Sequence, residues 1–84
     1  MTNNDILKKK IIYISTHRGT KEMDLLLGNF VKKNIHIFTD SELNDLKSLM
    51  EIEDEILQKW YFYKNNNELV PINKASQMLK KYKL

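Results

Sequence analysis

Apolar residues recur along the chain at intervals of three and four, and that spacing predicts helices almost throughout. Leu7, Ile11 and Ile14 stand i, i+4, i+7 behind Asp5, a good capping residue, and predict a first helix over 6–17. The β-branched trio Ile11, Ile12 and Ile14 would also suit a strand. Met23, Leu26, Leu27 and Phe30 predict a second helix over 21–33, with Thr20 as its N-cap. Gly19 fits the left-handed residue just past the end of the first helix. Asn34–Phe38 is then a short connection whose apolar Ile35, Ile37 and Phe38 fold back onto the core.

Thr39-Asp40-Ser41-Glu42 has the form of a capping box and opens a third helix over 40–50, with Leu43, Leu46, Leu49 and Met50 inward. Asp54 suits the cap of a fourth helix, 55–63, which packs Leu57, Trp60 and Tyr61; the run Asn65-Asn66-Asn67 stops it. A last helix begins between Pro71 and Lys74 and uses Ala75, Met78, Leu79 and Tyr82, Pro71 being suited to a first turn. The expected fold is all-α: a bundle of about five short helices in one domain, 1–84, around Leu26, Leu27, Phe30, Leu46, Leu57 and Trp60.

Composition narrows the functions open to such a bundle. A chain of 84 residues buries a thin core worth ~3–5 kcal/mol net, with little room for a deep substrate cavity. Cysteine is absent, and the two histidines, His17 and His36, lie on segments that suggest no shared ligand face, so no metal site is expected. No apolar run approaches the ~20 residues of a membrane span, and the opening MTNNDILKKK lacks both the apolar stretch of a signal peptide and the Arg/Ser richness of a transit peptide. The expected setting is the cytosol, unless the chain is one already processed, without membrane insertion.

The net charge of +3 hides a strong segregation. Residues 1–38 carry seven basic and three acidic side chains, residues 39–63 two and seven, and residues 64–84 five and one. Thirteen of the fourteen basic residues are lysine. The lone Arg18 therefore marks a position where a planar, bidentate donor fork does something an ammonium does not. Arg18 closes one helix, Gly19 turns the corner, and Glu22 sits on the first turn of the next. Each charge gains ~0.3–1 kcal/mol from the adjoining helix dipole, and the two could also pair across the turn. Gly28, inside the second helix, costs about 1 kcal/mol relative to alanine and suggests close helix packing.

At these residues the sequence resembles the small assembly factors that promote covalent FAD attachment to the flavoprotein subunit of succinate dehydrogenase. The pattern is Arg18-Gly19-Thr20-Lys21-Glu22 followed by Asp24-Leu25-Leu26-Leu27-Gly28-Asn29-Phe30, then the capping box at Thr39 and the Asp54…Leu57…Trp60 spacing. The resemblance covers 11–63. Thr20 stands where the family often has methionine and Glu55 where it commonly has proline, and the segment after Asn67 matches little.

The resemblance implies a chaperone-like clamp rather than an enzyme. It implies that Arg18, Gly19 and Glu22 dock on the flavoprotein subunit, with Lys21 and His17 as flanking contacts. It implies that the chain supplies no catalytic residue, holds no FAD stably and acts on the FAD of its partner, and the chain is expected to be monomeric when free. A small basic helical nucleic-acid-binding protein is the alternative, favoured by a pI near 9.1 and opposed by the acidic middle and the near-absence of arginine. Nucleic acid is therefore not the expected partner.

Overall fold

The computed structural model describes residues 3–83. Five α-helices, α1 (Asn3–Thr16), α2 (Lys21–Asn34), α3 (Asp40–Met50), α4 (Asp54–Phe62) and α5 (Lys74–Lys81), follow one another, with a 3-10 turn at Ile35–Ile37; no strand occurs among the described residues. The isoleucine run that would also suit a strand is helical. Ile11 is buried, and Ile12 and Ile14 pack against the core with Leu7. Asp5, expected as a cap, instead lies inside the first turn of α1, where its charge still suits the helix dipole.

The core is the expected one. Leu26, Leu27, Phe30, Leu46 and Leu57 are fully buried and Trp60 nearly so, joined by Met23, Val31, Leu43, Leu49, Met50 and Leu79. Ile35 and Phe38 fold back onto it as expected, but Ile37 points outward and is 46% exposed. A 3-10 turn places neighbouring side chains about 120° apart, so three successive apolar positions cannot all face one core. Val70, in the loop before α5, is buried as well. Gly28 is fully enclosed, and a Cβ there would stand 3.1 Å from Thr16 Cγ2, so α1 and α2 pack at a distance that glycine sets.

Caps explain most helix boundaries. Thr20 accepts from the Met23 amide and starts α2. Thr39 and Glu42 form the expected box: the Glu42 amide donates to Thr39 Oγ1 at 3.3 Å, and the Thr39 amide donates to Glu42 Oε1 at 2.9 Å. The start of α5 is a second box that the sequence reading placed only roughly. The Ser76 amide donates to Asn73 Oδ1 and the Asn73 amide to Ser76 Oγ, both at 3.0 Å, so Asn73 and not Pro71 opens the helix. Asp54 does not cap α4; Glu53 holds that position without a side-chain bond, and Asp54 is the first helical residue. At the far end, Lys64 adopts φ 58° and, just beyond α4, leads the chain into the Asn65–Asn67 loop.

Glu42 also accepts from Lys74 Nζ at 3.2 Å, which ties the start of α5 to the start of α3. The Thr39 amide, and Lys74 with it, hold the Glu42 carboxyl below its ordinary value of 4.5 against the upward push of desolvation. A carboxylate with a lowered folded pKa contributes stability above its unfolded pKa and loses it as pH falls through the folded value. Glu42→Gln keeps the cap geometry without the charge. It is expected to flatten the fall in melting temperature below about pH 4.5, as thermal melts of both proteins across that range would read. Parallel curves would show that the carboxylate is not held in this way.

Candidate functional site

The chain turns from α1 into α2 through His17–Thr20, and every expected docking residue lies at or beside this corner. The last turn of α1 is closed by local bonds. Thr16 Oγ1 donates to the Ile12 carbonyl at 2.8 Å, and His17 Nδ1 lies 2.8 Å from the Tyr13 carbonyl, with its ring stacked on Tyr13 at 3.9 Å. His17 itself is exposed.

Arg18 points inward. Its side chain is only 7% exposed, and its fork reaches three acceptors on the α3–α4 corner. Nε donates to Asp54 Oδ1 at 2.5 Å, one terminal nitrogen to the Met50 carbonyl, and the other to the Ile52 carbonyl at 2.6 Å. Met50 is the last residue of α3 and Asp54 the first of α4. The guanidinium therefore meets the negative end of one helix while its carboxylate partner sits at the positive end of the next. The helix-dipole account of Arg18 holds, but for α3 rather than for the helix that Arg18 follows. The backbone amide of Arg18 donates to Asp24 on α2. The pairing of Arg18 with Glu22 across the turn does not occur; Arg18 pairs with Asp54.

Gly19 is not in the left-handed region, since no glycine has positive φ. Its requirement is one of space. The Gly19 amide donates to Asp54 Oδ2 at 2.6 Å, and a Cβ on Gly19 would lie 3.0 Å from that same oxygen. Asp54 thus spends one carboxylate oxygen on Arg18 and the other on Gly19, which links the two interhelical corners. No motif spacing connects residues 36 apart, so Asp54 was legible in sequence as a candidate cap and as the first member of the Asp54…Leu57…Trp60 spacing, but not as the partner of Arg18. A lone arginine implied some planar acceptor set without saying which.

Around this internal clasp, His17, Gly19, Lys21 and Glu22 are exposed. Between the corners lies an open concavity of about 550 Å³, walled by Ile14, Gly19, Ile52 and the acidic Glu51 and Glu53. The surface here is a turn without a side chain at its apex, flanked by an imidazole, an ammonium and carboxylates. Among the described residues no group of three or more His, Cys, Asp or Glu side chains could hold a metal ion, and no helix is long and apolar enough to cross a membrane.

Comparison with known proteins bears on the same residues. The family model described as "Flavinator of succinate dehydrogenase" matches residues 9–83, which extends the likeness beyond 11–63 through the segment after Asn67. The "FAD assembly factor SdhE" of Acetobacter pasteurianus is 34% identical over 74 residues, covering 88% of this chain and 65% of that protein. "Succinate dehydrogenase assembly factor 2, mitochondrial" of Dictyostelium discoideum is 42% identical over 67 residues, covering 74% of this chain and 48% of that protein. The protein of the same name from Scheffersomyces stipitis is 34% identical, with 90% and 52% covered. The chain thus spans about half to two-thirds of the length of these relatives. No solved structure matches it significantly.

Proposed function

The chain belongs to the succinate dehydrogenase flavinator family, and on that premise we propose that it docks on the flavoprotein subunit of succinate dehydrogenase and promotes covalent attachment of FAD. The observation that carries this reading is the clasped corner: Arg18 and Asp54 are occupied inside the fold, and they hold Gly19, Lys21, Glu22 and His17 outward on a rigid frame.

The bond to be made joins the flavin 8α-methyl carbon to a histidine nitrogen of the partner, with loss of a methyl C–H and an imidazole N–H and with the two electrons passing to the flavin ring itself, so every reacting atom belongs to partner and cofactor. The chain contributes geometry and charge. A rigid clamp raises the rate by holding reacting groups in a near-attack arrangement, and a fixed carboxylate or ammonium at the interface favours the charge that develops there. In this reading the chain is not an enzyme in its own right, holds no FAD stably, and is a monomer when free. It works where the flavoprotein subunit matures: the cytoplasm of a bacterium or the mitochondrial matrix. Arg18 acts through the corner it holds, and Glu22, Lys21, His17 and the bare Gly19 backbone make the contacts.

Glu22→Ala is the direct test. Glu22 is exposed and pairs with nothing among the described residues. The variant should melt within about 0.5 kcal/mol of the parent while binding the purified flavoprotein subunit at least about tenfold more weakly, a loss of ~1.4 kcal/mol. Titration reads the first effect of docking, and flavin fluorescence of the denatured subunit after co-expression reads attachment. Unchanged binding and unchanged attachment would end the assignment of Glu22 to the interface.

A further inference from the structure

Four of the eight large apolar side chains exposed among the described residues fall within 62–72: Phe62 (45%), Tyr63 (67%), Leu69 (63%) and Ile72 (87%). Of these four, Ile72 lines a cleft of about 450 Å³ between the α4–α5 loop and α5, walled also by Trp60 and Pro71 and rimmed by Lys80, Lys81 and the amide side chains of Asn66 and Gln77. Residues 64–84 carry five lysines and one carboxylate, Glu68. None of these residues belongs to the α1–α2 corner.

We propose that this cleft is a second docking surface, and that its occupant is an acidic protein segment that inserts an apolar side chain. Pro71 and Ile72, over the small exposed edge of Trp60, supply an apolar wall for a leucine or phenylalanine. Lys80 and Lys81 stand where carboxylates flanking that side chain would meet them, and Asn66 and Gln77 can pair with a peptide backbone. A lipid surface fits these features less well. Of the apolar residues of α5, Ala75 and Leu79 are buried in the core and Met78 packs against it, so no unpartnered apolar helix face is left to lie in a bilayer. Nucleic acid fits less well too, because the cleft carries no arginine and its one indole is only 6% exposed. The proposal does not rest on the corner or on the identity of the client.

Trp60 is the only tryptophan, so its fluorescence reports the cleft directly. The full chain would be titrated with the capped peptide Glu-Asp-Leu-Leu-Asp-Glu, with a counterpart bearing lysine at the four acidic positions, with phosphatidylglycerol vesicles and with a short oligonucleotide. The expected result is a saturable change with the acidic peptide alone, weakened by salt. Lys80→Glu combined with Lys81→Glu should weaken it about tenfold, a change of ~1.4 kcal/mol, and should make the lysine peptide the better ligand. Glu22→Ala should bind the acidic peptide normally, which separates this surface from the corner. No saturable change up to about 1 mM peptide, equal response to both peptides, or tighter binding to vesicles or oligonucleotide would overturn the proposal. A thermal melt of the double variant guards against misfolding. If it melts early, Ile72→Ser, at a position 87% exposed, replaces it and should weaken peptide binding to a similar extent.

Discussion

Arg18→Lys is expected to lower the melting temperature of the domain by about 10–20 °C. A lysine ammonium can reach one of the three acceptors that the guanidinium now serves, Asp54, the Met50 carbonyl and the Ile52 carbonyl. Hydrogen bonds from a charged donor contribute ~1.5–3 kcal/mol each, and a strand of geometry is lost with the fork. Because Asp54 keeps some access to water, with 22% of its side chain exposed, roughly 2–3 kcal/mol for the whole substitution is a reasonable sum. At 4–8 °C per kcal/mol for a chain this small, that is a large fraction of the range between room temperature and the melt. Asp54→Asn should be destabilising for the same reason, and the double variant should cost clearly less than the two singles added. The measurement is a double-mutant cycle by thermal melt. A normal melting point for Arg18→Lys together with lost binding to the flavoprotein subunit would instead place the guanidinium in the interface, and the positioning role would fail.

What could be read from sequence follows from the range of the interactions involved. Helix spacing, the Thr39–Glu42 box and the Thr20 cap are local, so α2 and α3 were placed within a residue and the core leucines correctly. The candidate corner was legible for the same reason: an arginine, a glycine and a glutamate within five residues. The clasp that holds the corner was not, because Arg18 and Asp54 are brought together only by the packing of α1 against α3, which no local pattern encodes. The same long-range pairing corrects two local readings at once. Asp54 has both carboxylate oxygens engaged and so does not cap α4, and Gly19 is required by the approach of that carboxylate rather than by a left-handed turn. The start of α5 lay between these cases: its signal was local, but Asn73 and Ser76 make a less familiar box than threonine with glutamate.

The clasp also changes what a substitution at Gly19 should do. With φ outside the left-handed region, alanine and arginine face no left-handed backbone strain there, but each brings a Cβ to 3.0 Å from Asp54 Oδ2, tighter than nine in ten real contacts of that kind. The carboxylate must give way, loosening its bonds to the Gly19 amide and to Arg18. Gly19→Ala and Gly19→Arg should therefore melt at similar, moderately lowered temperatures, on the order of 1–2 kcal/mol below the parent. That cost should nearly vanish in an Asp54→Gly background, where nothing remains for the Cβ to meet, and the resulting coupling is what a double-mutant cycle reads. Docking should separate the two variants. Gly19 is exposed at the apex of the corner, so a methyl group adds little bulk toward a partner, whereas an arginine side chain stands between the two surfaces. Gly19→Arg is expected to reduce binding to the flavoprotein subunit, and covalent flavin in that subunit after co-expression, by about a hundredfold, or ~2.7 kcal/mol, with Gly19→Ala losing about tenfold or less. Equal losses for the two would mean that Gly19 acts only by keeping the clasp closed. A fully active Gly19→Arg protein would remove this corner from the docking surface altogether.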